Sequence, residues 1–97
     1  MLEFNLPAAQ AAYAELGPLV FPDLAGRPEA DRAAGLIEGF RRLGPELGMQ
    51  SRLGELGVNH NHLPMLAEDA MKQQRLLINN PREMTLDAAR DIYAKAL

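Results

Sequence analysis

The stretch Asn59–Leu97, NHNHLPMLAEDAMKQQRLLINNPREMTLDAARDIYAKAL, decides the fold class. Leu63, Leu66, Ala67, Ala70 and Met71 recur at helical spacing, while Glu68, Asp69, Lys72 and Gln73 fall off that stripe. Asn59 or Asn61 stands where a helix cap belongs. The spacing predicts a long helix from there to Asn79-Asn80-Pro81. At that corner proline forbids continuation, and asparagine satisfies orphan backbone groups and tolerates left-handed dihedrals. Thr85 is the expected cap of a closing helix, with Asp87 in its first turn. Leu86, Ala89, Ile92, Tyr93 and Ala96 share one face of it.

Working outward, the N-terminal half repeats the same grammar. Asn5 is the expected cap of a first helix, with Pro7 near its first turn. That helix runs through Ala8, Ala12 and Leu16 and is expected to stop at Gly17-Pro18. Leu19 to Pro22 reads as an extended linker, and Pro22, Gly26 and Pro28 mark a loop. A second helix begins near Pro28. It turns Ala33, Leu36, Ile37, Phe40 and Leu43 to one face and ends at Gly44-Pro45. Glu29, Asp31, Arg32, Glu38, Arg41 and Arg42 form its wet side. Between residues 46 and 58, Gly48, Gly54 and Gly57 leave room for one short turn from Ser51 to Leu56, with Ser51 as its cap. Strand formers are scattered singly at Val20, Ile37, Val58, Ile78 and Ile92. The expectation is an all-α chain, a small antiparallel helical array of about four helices. Residues 1–97 are read as a single helical segment.

Composition narrows the function classes. A net charge of −3 argues against a nucleic-acid binder, which shows a basic face, and against a polybasic membrane anchor. Absence of cysteine excludes disulfides and cysteine-based zinc sites. No apolar run is long enough to span a bilayer, and MLEFNLPAAQ lacks the charged start and apolar run of a signal peptide. A cytoplasmic location is expected.

His60-Asn61-His62 draws attention as a metal-binding pair. On a helix, residues two apart point about 200° from one another and cannot share an ion, although an extended turn lets them. The favoured reading is two exposed first-turn residues, with a His60/His62 metal site as the weak alternative. Adjacent Glu68 and Asp69 face different directions and read as a solvated face rather than an acid–base pair. Met49, Met65, Met71 and Met84 read as gap-filling core. Ser51 is the only serine, and no glycine-rich loop forms a phosphate cradle. Asn79-Asn80-Pro81-Arg82 is adequately explained as a sharp helix-to-helix corner.

With those residues in hand, the chain resembles the C-terminal end of the iron-containing (group III) alcohol dehydrogenases. The resemblance is carried, in order, by LEFNLPAAQAAYAEL from Leu2 to Leu16, Leu53-Gly54-Glu55-Leu56-Gly57-Val58, Leu63-Pro64-Met65-Leu66-Ala67, Asn80-Pro81-Arg82, Thr85 and Ile92-Tyr93. It implies the end of the helical C-terminal domain of a dehydroquinate synthase-like fold. It also implies a parent oxidoreductase that interconverts alcohols with aldehydes or ketones. In that family a Gly-Gly-Gly-Ser loop binds NAD(P). One Asp and three His hold a divalent metal, iron or zinc, that polarises the substrate oxygen, and the nicotinamide exchanges hydride.

The departures are as informative. There is no Gly-Gly-Gly-Ser, and no Asp is followed four positions later by His. The resemblance places every metal ligand and the nucleotide-binding domain upstream of Met1. No catalytic, cofactor-binding or metal-binding residue is therefore expected in this chain, which reads as a piece inactive without the rest of the dehydrogenase. One residue carries over: Leu76, four positions before Asn80, is implied to line the pocket for a small alcohol or aldehyde, although ordinary core explains it equally well. Faces built to pack on missing helices also imply self-association in isolation. The alternative is a free-standing helical interaction or dimerisation module.

Overall fold

Residues 1–97 are all described in the computed structural model, as helices and turns with no strand. The chain divides into two compact units, Met1–Met49 and Gln50–Leu97.

The first unit is a pair of long helices, α1 (Leu2–Val20) and α2 (Glu29–Glu46), joined through a 3₁₀ turn at Pro22–Leu24. Contacts between Glu3 and Arg41 and between Ala14 and Arg32 run in antiparallel sense. α1 corrects the expectation at both ends. It begins at Leu2 rather than after Asn5. The Asn5 amide donates to the Met1 carbonyl at 3.0 Å, and the residue is buried rather than capping. Pro7 is tolerated because the carbonyl it deprives, that of exposed Glu3, lies in the first turn within reach of water.

Pro18 does not end α1, which continues to Val20. A proline inside a helix orphans the carbonyl four residues earlier. Here that carbonyl belongs to Ala14, and Arg32 Nη1 of α2 donates to it at 3.3 Å. Gly17 makes the approach possible, because a Cβ there would stand 2.9 Å from the Arg32 carbonyl oxygen. The local stop signal is thus overridden by a donor from the neighbouring helix.

α2 starts after Pro28 as expected, with Glu29 and Asp31 in the first turn, where carboxylates favour the helix dipole. It runs through Pro45 to Glu46, slightly past the expected stop. Ala33, Leu36 and Ile37 are buried, but Phe40 and Leu43 of the same stripe remain 42% and 40% exposed. The Phe40 ring meets Phe21 edge-on at 5.5 Å. Phe21 lies against Gly39, where a Cβ would be 2.4 Å from the ring, and Leu24 presses on Gly35 in the same way. Arg41 bridges Glu3 and Glu38 on the surface. Its hydrogen bond to Glu3 is the chief reason that the guanidinium pKa is raised.

The second unit holds 3₁₀ turns at Leu53–Leu56 and His60–His62, then α3 (Leu63–Met71), α4 (Gln74–Leu77) and α5 (Leu86–Lys95). The expected long helix is therefore broken. Lys72, Gln73, Gln74 and Arg75 are consecutive polar residues, so no apolar stripe holds the backbone in register. Gln73 leaves the helix at ψ 53°, and Gln74 Nε2 donates to the Met71 carbonyl at 2.7 Å. Leu63 and Ala67 of α3 and Ala89 of α5 are buried, and α3 packs on α5. Leu86, expected on the buried face of α5, is 47% exposed.

Thr85 caps α5 as expected, its Oγ1 accepting the Ala88 amide at 3.1 Å. Ser51 does not cap its turn: the turn follows Arg52, and the Ser51 amide donates to the Glu55 carboxylate. The Leu53 and Gly54 amides donate to the carbonyls of Ala96 and Leu97 at 2.8 and 3.3 Å. A Cβ at Gly54 would come within 2.8 Å of the Leu97 oxygen.

Candidate functional site

The Asn79–Arg82 corner is built from backbone bonds outward. One turn of α4 closes on Gln73, whose carbonyl accepts the amides of Leu76 and Leu77. The Asn79 and Asn80 amides then donate to the Leu76 and Leu77 carbonyls at 3.3 and 3.0 Å. The side chains complete the turn. Asn79 Nδ2 donates to the Arg75 carbonyl at 3.2 Å, and Asn80 Nδ2 donates to that of Arg82 at 2.6 Å. This is the sharp corner that the asparagines and proline imply.

The corner shapes a groove of about 470 Å³. Met71, Leu77, Ile78 and Met84 give it an apolar lining, and Gln74, Asn80 and Glu83 also line it. Leu76 does not line this groove and is 64% exposed, while its neighbour Leu77 is half-buried in it. Leu76 and Asn80 therefore do not share the groove. Sequence reasoning does not single out Glu83, Gln74 or Met84 as members of one groove. The signal there is a lone carboxylate next to a methionine just after a proline corner, which is too common to point anywhere.

His60 and His62 are both exposed, in the turn that leads into α3. Asn59 Oδ1 accepts the Asn61 amide, and His62 Nδ1 accepts the Asn59 amide, each at 3.0 Å. The arrangement is a capping box in which histidine replaces the usual Glu or Gln. No group of three or more His, Cys, Asp or Glu is placed to hold a metal ion. The residues of this chain do not fit the family's metal, and none of its glycines forms a nucleotide-binding loop.

Glu68 and Asp69 do not act as a pair. Asp69 holds Lys72 at 2.8 Å and is the main reason that the ammonium pKa is raised. Glu68 lines a separate small cleft between α3 and α5 with Asp87 and Arg90. The methionines also part company: Met71 and Met84 line the groove, but Met49 and Met65 are 64% and 55% exposed rather than filling core.

Comparison with known proteins agrees with this all-helical architecture. The family model for the C-terminal region of Fe-containing alcohol dehydrogenases matches residues 1–97, and the chain belongs to that family. Sulfoacetaldehyde reductase of Bilophila wadsworthia (strain 3_1_6) is 40% identical over 57 residues, covering 59% of this chain and 15% of that protein. The 1,3-propanediol dehydrogenase of Klebsiella pneumoniae is 30% identical over 80 residues, covering 82% of this chain and 20% of that protein. A crystal structure of 1,3-propanediol oxidoreductase matches with a TM-score of 0.89 at 27% identity, over 99% of this chain and 25% of that one. The chain thus spans only 15% and 20% of the curated relatives' lengths.

Proposed function

We propose that these residues work as the C-terminal helical part of a metal- and NAD(P)-dependent alcohol dehydrogenase. The parent enzyme interconverts small alcohols with aldehydes or ketones in the cytoplasm. The observation that carries this reading is the family match over residues 1–97. It is supported by relatives named as an aldehyde reductase and a diol dehydrogenase. In this reading, residues outside the chain hold NAD(P) and the iron or zinc, because none within it fits either group. No chemical step is assigned to the chain, and alone it is inactive.

Its contribution is structural and steric. Leu76, in α4 just before the corner, is the apolar wall against the carbon chain of the substrate. That placement is supported by the exposure of Leu76, which leaves an apolar side chain with nothing over it. The same exposure at Leu19 and Leu47 supports self-association of the isolated chain. It equally favours a second reading, a free-standing helical dimerisation module.

The DNA upstream of the Met1 codon, read in frame, separates the two. An open frame encoding Gly-Gly-Gly-Ser followed by one Asp and three His, whose product reduces NAD(P) in the presence of an alcohol, is the expected result. An in-frame stop codon upstream, with a ribosome-binding site just before the Met1 codon, overturns the parent-enzyme reading and leaves the module.

A further inference from the structure

Two properties of the groove at the Asn79–Arg82 corner identify what covers it. The first is its lining. Met71, Leu77, Ile78 and Met84 offer apolar surface, with Ile78 82% exposed, and such a surface gains most from an apolar occupant. The second is its charge. Glu83 is the one charged residue that lines the groove, and its carboxylate carries no ion pair. Covering that carboxylate without a cation strips its water for no return. Nothing in the groove supplies the cation, and the amide groups of Gln74 and Asn80 already donate to the Met71 and Arg82 carbonyls. The occupant must bring it.

A second copy of the chain is a poor candidate. A two-fold contact centred on the groove sets the same patch against itself, so two Glu83 carboxylates would approach with no lining cation between them. An occupant of different sequence has no such penalty, and this chain matches only 25% of the solved 1,3-propanediol oxidoreductase chain, which leaves ample protein to provide one. We infer that this groove docks an apolar segment from the remainder of the parent enzyme, with a lysine or arginine of that segment paired to Glu83. The inference rests on the parent-enzyme reading, and the test separates the two.

The chain has no cysteine, so a single Ile78→Cys substitution gives a clean reporter, with Asp91→Cys on exposed α5 as the control. Its reaction with a thiol reagent is followed in the 97-residue chain and in the longer protein read in frame from upstream DNA. The thiol introduced by Ile78→Cys is expected to react roughly tenfold or more slowly in the longer protein, as a locally protected site does, while the control is unchanged. Glu83→Lys in the longer protein restores fast reaction, and Glu83→Gln restores part of it, because a like charge repels more than a neutral group. With Ile78 intact, Glu83→Lys also reverses the local salt effect on thermal unfolding of the longer protein, because salt weakens the wild-type attraction and relieves the repulsion in the variant. Fast reaction of the introduced thiol in a longer protein that still oxidises alcohol overturns the docking assignment and leaves the parent-enzyme reading standing. Protection that appears in the 97-residue chain alone, rising with concentration, overturns it in favour of self-contact. A longer protein without alcohol-dependent activity removes the parent-enzyme reading and this inference with it.

Discussion

Arg32 and Pro18 form a pair whose energies must not add. Pro18 deprives the Ala14 carbonyl of its helical donor, and Arg32 Nη1 supplies a replacement at 3.3 Å. Ala14 is 1% exposed, so without Arg32 its carbonyl has little access to water. Arg32→Met keeps much of the apolar stem and removes the donor. An orphaned buried carbonyl costs about 1–3 kcal/mol, and a long bond points to the low end. The same substitution also removes Arg32 Nε, which is buried without a partner, and this returns part of the loss. The net expectation is about 1 kcal/mol of destabilisation, or roughly 4–8 °C in Tm for a domain of this size. In a Pro18→Ala background the new amide can bond Ala14 within α1. Arg32→Met should then cost about zero. Any effect of Pro18→Ala on the unfolded chain cancels in the cycle. Thermal unfolding of the four proteins by far-UV circular dichroism gives the coupling, expected near 1 kcal/mol against an additivity scatter of about 0.3–0.5. A coupling inside that scatter would refute the claim that Arg32 lets α1 pass through Pro18.

Gly17→Ala should cost more than Gly44→Ala. The first sets a Cβ 2.9 Å from the Arg32 carbonyl and should destabilise by about 1–2 kcal/mol after its helix-propensity gain. The second meets nothing within 4 Å beyond its chain neighbours, so its helix-propensity gain of up to about 1 kcal/mol is opposed only by the following Pro45, and an equal cost for the two in chemical denaturation would discredit the packing described. Thr85→Ala removes the acceptor for the Ala88 amide and should cost about 1 kcal/mol, seen as faster hydrogen exchange in the first turn of α5. His62→Ala should loosen the entry to α3 through loss of its bond from the Asn59 amide, and added zinc should leave the melting temperature of both proteins unchanged. A zinc-dependent rise in the wild-type protein alone would restore the His60/His62 metal site.

What was legible in the sequence is what burial makes periodic. Spacing alone turns Ala33, Leu36 and Ile37, and again Leu63 and Ala67, inward, and they are buried. Thr85 was legible because a cap acts within its own turn. Errors arise where a local signal is answered from elsewhere. Pro18 reads as a stop until Arg32 of another helix supplies the missing donor, and Asn5 reads as a cap until its own amide joins the helix. The break after Met71 escapes the sequence for the complementary reason: helix formers continue through Lys72 to Arg75, but without an apolar face their propensity is too weak to hold the register.

The candidate site was less legible than the fold, and the cause is physical. A stripe such as Phe40 and Leu43 says which side of a helix is apolar; it does not say what lies against it. Here the buried core is mostly alanine, and no large side chain is fully buried, while Leu19, Leu47 and Ile78 are more than half exposed. Full burial of one such side chain is worth about 1.5–3 kcal/mol, so a few of them rival the net stability of a small domain. The residues with most to gain from contact are therefore those that the 97 residues leave uncovered. Leu76 and the Asn79–Arg82 groove belong to that set. Their roles are written in whatever chain packs on them, which is why spacing within this sequence does not locate them and only resemblance to a larger enzyme singles out Leu76.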